Sequence, residues 1–297
     1  MKVPLFHILG WLSLFLITSY SLAQNTEYGL PYVQNYSNDE YGYGTDSYTV
    51  LQGKNGLMYV GNVDGVLEFD GVNWRLIEMP NLGAIRSLEM DENGKVFVGG
   101  FGDFGFLAPD SIGFLQFQSL KHLLPESEPE FTNVYRILID GSDTYFMTTS
   151  WLARLRSGKI KIWKPTETYF FLPHLVEGRV FVEEARLGVK ELIDDELMPV
   201  ENMSNFSSIR RITSIDGKLA LVTFNHVIFI TKDGDFQPLE TEADSYLKEK
   251  WTITFHQLPS GFFAIGTVKG GLVLLDKDYR LLRTLKKENG IAHNTIT

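Results

Sequence analysis

The chain has 297 residues, of which 44% are hydrophobic and 22% are charged, a balance typical of globular proteins. Aromatic residues make up 13% of the sequence, which excludes a disordered or collagen-like chain. Acidic residues outnumber basic ones by 37 to 27, so the field of the chain repels phosphate backbones and we expect no nucleic-acid partner. The absence of cysteine excludes disulfides, thiol catalysis and metal sites that need thiolate ligands.

Residues 1–23 have the pattern of a secretory signal peptide. Lys2 supplies a positive start, 8–17 is a largely apolar run, and Ser21-Leu22-Ala23 ends the segment with small residues. The run is short for an uncleaved membrane anchor, the alternative interpretation, which needs about 20 apolar residues. We therefore expect an exported protein that works in the periplasm or another extracytoplasmic compartment, with 24–46 as an N-terminal segment that leads into the folded repeats.

Four short β-prone runs, separated by turn residues, recur about every forty residues along the rest of the chain. The clearest copy has its runs at 47–52, 57–62, 63–71 and 74–77, with Asn55-Gly56 in the first turn. Later copies align if their second strands end at Gly61, Gly99, Thr148, Glu183, Thr223 and Gly266. Four strands in a unit of this length are typical of a β-propeller blade, whereas a two-sheet sandwich needs no such period.

The predicted fold class is therefore all-β, a β-propeller with about six four-stranded blades and the start of another. The blades are predicted at 47–79, 84–120, 131–163, 172–200, 207–239 and 251–285, and the next begins at 288–297. Helical periodicity is indicated only near 120–124 and 240–250. A ring interrupted after six blades would expose apolar sheet faces, so we expect a truncated ring that self-associates. The alternative is a closed ring of six blades.

Two copies carry the same glycine-rich signature. The segment 252–276 has Gly266-Thr267 followed by Gly270-Gly271-Leu272, and 48–70 has Gly61-Asn62 followed by Gly65-Val66-Leu67. These motifs resemble the two-component regulator propeller repeat of bacterial envelope sensors, and the resemblance extends over most of 24–297. It implies a non-enzymatic sensory propeller that binds a small ligand. In that family a triple-tyrosine domain, a membrane helix and a kinase or DNA-binding output follow, so we expect this chain to be the N-terminal part of a longer, membrane-anchored sensor.

Candidate ligand-binding residues lie in the loops between second and third strands, since these loops share one face of a propeller. They are Asn62, Asp64, Phe101, Asp103, Trp151, Arg186, His226 and Lys269. Aromatic rings can stack on sugar faces and the polar groups can bind hydroxyls, so an oligosaccharide is the ligand class that we expect. The six histidines are widely spaced, and no phosphate-binding or nucleophile motif occurs, so no catalytic residue, metal or cofactor is predicted.

Two other functions stay open at this point. The abundant carboxylates, with an acidic channel through the propeller, would suit a secreted glycosidase or lyase that acts on polysaccharide. A scaffold that docks proteins through its blades is the third hypothesis.

Overall fold

The computed structural model of the chain describes residues 33–80, 83–128, 130–224 and 228–296. The predicted signal peptide at 1–23 lies outside the described residues, as do residues 24–32 of the segment that follows it. The contacts within the chain divide it into Met1–Gln34, of which only Val33 and Gln34 are described, and Asn35–Thr297. The second unit contains all of the helices and strands given below.

Twenty-four strands form six antiparallel sheets, and each sheet joins four strands that follow one another in the sequence. Blade 1 consists of β1 Ser47–Gln52, β2 Met58–Asn62, β3 Gly65–Phe69 and β4 Trp74–Glu78. Blade 2 consists of β5 Ile85–Met90, β6 Val96–Gly100, β7 Phe104–Pro109 and β8 Leu115–Ser119. Blade 3 consists of β9 Arg136–Asp140, β10 Asp143–Met147, β11 Leu152–Arg156 and β12 Lys159–Trp163. Blade 4 consists of β13 Phe170–Val176, β14 Arg179–Glu184, β15 Gly188–Ile193 and β16 Glu196–Pro199. Blade 5 consists of β17 Ile209–Ile215, β18 Lys218–Thr223, β19 Ile228–Lys232 and β20 Asp235–Leu239. Blade 6 consists of β21 Thr252–Gln257, β22 Phe263–Thr267, β23 Leu272–Leu275 and β24 Leu281–Leu285.

This architecture confirms the all-β propeller with six blades of four strands. Blade 4 starts at Phe170, two residues ahead of the predicted start at 172, because a bulge between Phe170 and Pro173 lets the strand continue across the proline. Among the described residues, two short α-helices accompany the blades, α1 Asn38–Tyr41 ahead of blade 1 and α2 Asp244–Lys250 ahead of blade 6. The predicted helical stretch at 120–124 is a short 3-10 turn at Lys121–Leu123.

Apolar side chains fill the spaces between consecutive blades, because each sheet has two apolar faces to bury. Separate buried clusters join blades 1 and 2, 2 and 3, 3 and 4, 4 and 5, and 5 and 6. Neighbouring blades also touch repeatedly through their first strands, which places β1, β5, β9, β13, β17 and β21 nearest the propeller axis. The fourth strands form the outer rim and are the more exposed, as in β8 and β16.

The two ends of the described chain meet. Tyr36 packs edge-on against Phe69 and Trp74 of blade 1, at ring-centroid distances of 5.1 and 5.6 Å. The neighbouring amide Nδ2 of Asn35 donates a 2.8 Å hydrogen bond to the carbonyl of Gly290, which follows blade 6.

The last described residue continues the repeat. The backbone N–H of Ile296 donates to the carbonyl of Thr267 at 3.0 Å. The Ile296 carbonyl and side chain lie against Gly266 in the same way that Ile85, the first residue of blade 2, lies against Gly61. Residue 296 therefore occupies the position at which the first strand of a following blade begins. Self-association of the chain stays a prediction.

Candidate functional site

Two of the predicted ligand-binding residues are buried and hold their own loops. The side chain of Asn62 is fully buried, and its Nδ2 donates to the carbonyl of Gly44 at 2.7 Å while its Oδ1 accepts from the N–H of Asp64 at 3.0 Å. The Oδ1 of Asp103 accepts a 2.7 Å hydrogen bond from the hydroxyl of Ser119. Polar side chains at or near the connection between second and third strands thus satisfy loop backbone and neighbouring groups, as turn residues commonly do.

Trp151 is also fully buried, in the core between blades 2 and 3. Its ring lies edge-on to Phe131 at a centroid distance of 5.1 Å and to Phe104 at 6.1 Å. A ring in this position stabilises the stack of blades and does not face a ligand.

The other predicted residues are exposed loop positions. Asp64, Phe101, Arg186 and Lys269 lie at the surface, and the Lys269 Nζ sits 4.6 Å above the ring of Trp251. No hydrogen bond, ion pair or ring contact between described residues joins any two of these four. His226 lies outside the described residues. The structure therefore spreads the predicted set over several blades and does not bring it together into one pocket.

Charged groups do converge on the propeller axis. A cavity of about 300 Å³ lies between the first strands β5, β9, β13 and β17 of four consecutive blades. Its charged lining residues are Glu89, Glu92, Arg136 and Arg211. Arg211 follows the bulge between Ile209 and Arg211 in β17, and such bulges re-aim the side chains beside them. The expectation of an acidic channel does not hold for this cavity, because two arginines match its two glutamates.

The two arginines of the cavity have no carboxylate partner. No ion pair within 4 Å joins either one to a described acidic residue. The Nε of Arg136 is enclosed and has no hydrogen-bond partner among the described residues. Burial lowers the pKa of both guanidinium groups, and the charge of Arg211 adds to this effect at Arg136. Even a lowered arginine pKa leaves the group charged at neutral pH, so the cavity contains two positive charges.

Glu89 of β5 is the acidic group that interacts with both arginines. Burial raises the pKa of its carboxyl group, and this effect is opposed by the hydrogen bond from the Met90 N–H and by the charges of Arg136 and Arg211. The Met90 N–H lies 3.3 Å from its Oε1. Glu89 therefore sits close to the two positive charges without neutralising either through a direct ion pair.

Two histidines on neighbouring first strands belong to the same electrostatic group. His174 of β13 is 2% exposed, and neither ring nitrogen has a hydrogen-bond partner among the described residues. Burial first, and then the charges of Arg136 and Arg211, hold its pKa well below the ordinary value. The same causes lower the pKa of His256 on β21. Both imidazoles are therefore neutral at pH 7 and add no charge to the cavity.

Sequence reasoning missed this axial group, which consists of Glu89, Arg136, His174, Arg211 and His256. The available signal was a charged or histidine residue inside the first β-prone run of each blade from the second to the sixth. Within the described parts of the chain, no three His, Asp or Glu side chains are grouped so as to hold a metal ion. Nor does any described helix have the length and apolar character to cross a membrane.

No protein-family model matches the chain, and no curated protein is similar enough in sequence to count as a relative. Solved propellers do match its fold. The WD40 propeller domain of Doa1 has a TM-score of 0.62 at 13% identity, and the match covers 81% of this chain and 82% of that one. The extracellular domains of the putative hybrid two-component systems BT3049 and BT4673 from B. thetaiotaomicron both have TM-scores of 0.61 at 14% identity.

Those two matches cover 89% and 84% of this chain but only 38% and 34% of the bacterial chains. The chain thus spans little more than a third of these larger extracellular domains. At such low identity the likeness shows the fold alone. The chain is a six-bladed β-propeller whose structural neighbours include extracellular domains of two-component systems.

Proposed function

We propose that this propeller is the extracytoplasmic sensory part of a bacterial signal-transduction regulator and that it binds a small ligand without catalysing a reaction. The observation that carries the proposal is the axial group, in which five consecutive blades each contribute one ionisable side chain around or beside a single cavity. The cavity volume of about 300 Å³ is at the lower end of the range for small-molecule sites. The likeness to extracellular domains of two-component systems supports this context, although a propeller fold alone does not identify a function.

The axial position suits a sensor for a physical reason. A ligand in the cavity would touch strands from several blades, whose packing against one another is otherwise apolar. Such a ligand stabilises the arrangement of blades that binds it best, and a downstream part of the protein can respond to this shift in population. Residues 1–23 would direct the chain out of the cytoplasm, which fractionation of cells that express the whole chain can test.

A ligand screen tests the proposal. The purified chain is melted in the presence of neutral, acidic and amino sugars, short oligosaccharides and small organic acids, and we expect at least one class to raise the melting temperature in a concentration-dependent way. Mass spectrometry of the recovered ligand should find it unchanged. Release of a shorter or unsaturated product would support the alternative of a polysaccharide-active enzyme, and no stabilisation by any class would refute ligand binding.

A further inference from the structure

We propose that the axial cavity binds the carboxylate of a small acidic ligand, with the guanidinium groups of Arg136 and Arg211 as its anchors. This inference rests on the proposed ligand-binding function and names the chemical class of the ligand. It starts from the contrast between these two arginines and those of the same chain that pair with carboxylates.

Away from the axis, two arginines that are at least partly removed from solvent are paired with carboxylates. Arg154 Nη1 lies 2.5 Å from Asp195, and Arg75 Nη2 lies 2.9 Å from Glu68. A guanidinium withdrawn from water without a partner is costly, because it loses hydration and gains no compensating charge. Arg136 therefore has one donor, its Nε, that is enclosed without a hydrogen-bond partner among the described residues.

Two further guanidinium groups near the axis lie over aromatic rings and not beside carboxylates. Arg86 of β5 sits 3.7 Å above the ring of Tyr48, and Arg210 of β17 sits 4.6 Å above the ring of Phe224. The Nε of each is enclosed without a hydrogen-bond partner among the described residues. These cationic side chains on the inner strands thus pack against aromatic rings, and each has an Nε donor without a partner among the described residues. They occur in a chain whose net charge is −10.

The charge count of the cavity favours a monoanion. Arg136 and Arg211 contribute two positive charges, and Glu89 subtracts at most one, while the two histidines are neutral. Glu92 at the cavity lining balances one more positive charge, so one positive charge remains when Glu89 is protonated and none when it is ionised. A carboxylate monoanion matches the one positive charge that remains when Glu89 is protonated. It also fits the planar fork of a guanidinium, which binds it through two parallel hydrogen bonds. A phosphate dianion would carry more negative charge than the lining can balance.

Isothermal titration of the purified chain tests this assignment with four probes: galacturonate, lactate, the neutral sugar galactose, and inorganic phosphate. We expect at least one carboxylate to bind about tenfold more tightly than galactose, a difference that titration resolves readily. Arg136→Gln should weaken carboxylate binding about tenfold or more, and Arg136→Lys should also weaken it because lysine lacks the bidentate fork. Arg179→Gln is the matched control, since Arg179 is half-exposed and pairs with Glu191 outside the cavity.

Melting without ligand separates a binding role from a structural one. Because the Arg136 Nε has no partner, Arg136→Gln should not lower the melting temperature, whereas loss of a structural arginine would. Arg211→Gln repeats the test from another blade. Carboxylate binding that survives both substitutions, or a preference for phosphate over both carboxylates, would overturn the assignment. If galactose binds as tightly as the carboxylates, the assignment fails while the ligand-binding function stands. If none of the four probes binds, the carboxylate assignment also fails, and the wider screen decides the function by itself.

Discussion

The buried ion pair of blade 4 should contribute measurably to the stability of the propeller. Glu184 is fully buried at the end of β14, and its Oε2 accepts a 2.6 Å hydrogen bond from the Nζ of Lys190. Its Oε1 also accepts from the hydroxyl of Thr166 at 3.0 Å and from the N–H of Glu167 at 2.8 Å. A carboxylate with this many donors is stabilised in its ionised form.

The magnitude follows from the pKa of Glu184. Burial acts to raise it, but the hydrogen bonds from Lys190 and from the 166–168 backbone outweigh burial and lower the pKa from 4.5 to about 2. The folded state therefore binds this proton less tightly than the unfolded state does. A difference of this size corresponds to about 3 kcal/mol of folding free energy. Because the folded pKa is the lower one, the contribution is complete above the unfolded pKa and disappears as the pH falls towards 2.

Urea unfolding of Glu184→Gln, Lys190→Met and the double variant provides the test. Near pH 7, Lys190→Met should cost about 3–5 kcal/mol because it leaves the carboxylate of Glu184 buried and unpaired. The double variant should lose less than the sum of the two single changes. The loss of unfolding free energy that Glu184→Gln causes should become smaller as the pH is lowered from about 5 to about 3.

The control for this test is Glu288→Gln, at an exposed carboxylate whose oxygen lies 3.7 Å from Lys286. It should change the unfolding free energy little, because surface pairs contribute little. The reasoning from the pKa would be refuted if Glu184→Gln lowered the unfolding free energy by the same amount at every pH. It would also be refuted if the losses of the two single variants simply added in the double variant.

Three other predictions concern the blades and the axis. Gly105→Ala should destabilise the chain in urea unfolding by about 1–3 kcal/mol or more, since its Cβ would lie 1.9 Å from the Gln118 carbonyl oxygen; wild-type stability would contradict the register of β7 and β8. Trp151→Ala should lower the unfolding free energy by about 3–5 kcal/mol in the same measurement, because the ring fills the core between blades 2 and 3. It should leave carboxylate affinity unchanged, and a loss of affinity in the folded variant would show that Trp151 contacts the ligand. Carboxylate affinity should rise as the pH falls from about 7, because burial raises the pKa of Glu89 and its protonation removes a negative charge from the cavity. In titrations, Glu89→Gln should abolish that rise, and a slope that persists in this variant would assign it to another group.

The blades could be predicted because glycine residues mark many of their turns in the sequence. Gly56 and Gly71 of blade 1 have φ values of +84° and +100°, a region that other residues avoid, so they mark the strand ends in the sequence. Blade 5 has fewer such marks, and the alignment of Thr223 with Gly61 is wrong there. Gly61 pairs with Thr49 after the bulge of the first strand, and the residue in that position of blade 5 is Val222, paired with Arg211.

The site could not be predicted in the same way, because polarity does not show which way a side chain faces. Asn62 and Asp103 look like exposed loop residues in the sequence, but loop backbone and a serine hydroxyl use their hydrogen-bonding groups inside the fold. Arg136 and Arg211 look like the solvent-facing half of an alternating strand. Only the stacking of blades around an axis brings the strands of these two residues together. No local sequence pattern shows that residues so far apart in the chain become neighbours.

The molecule withdraws two kinds of ionisable group from water, and the difference between them argues that the axis is the functional part. In blade 4, Glu184 and Lys190 satisfy one another and the adjacent loop, so their burial is compatible with a stable fold. On the axis, Arg136 and His174 are withdrawn from water with nitrogen atoms that no described group satisfies. Selection for stability alone would favour an apolar residue at such positions, since the neighbouring interfaces between blades are already apolar. Unsatisfied groups that cost stability are expected where a protein binds something, and Arg136 and His174 lie in or beside one cavity that four blades form.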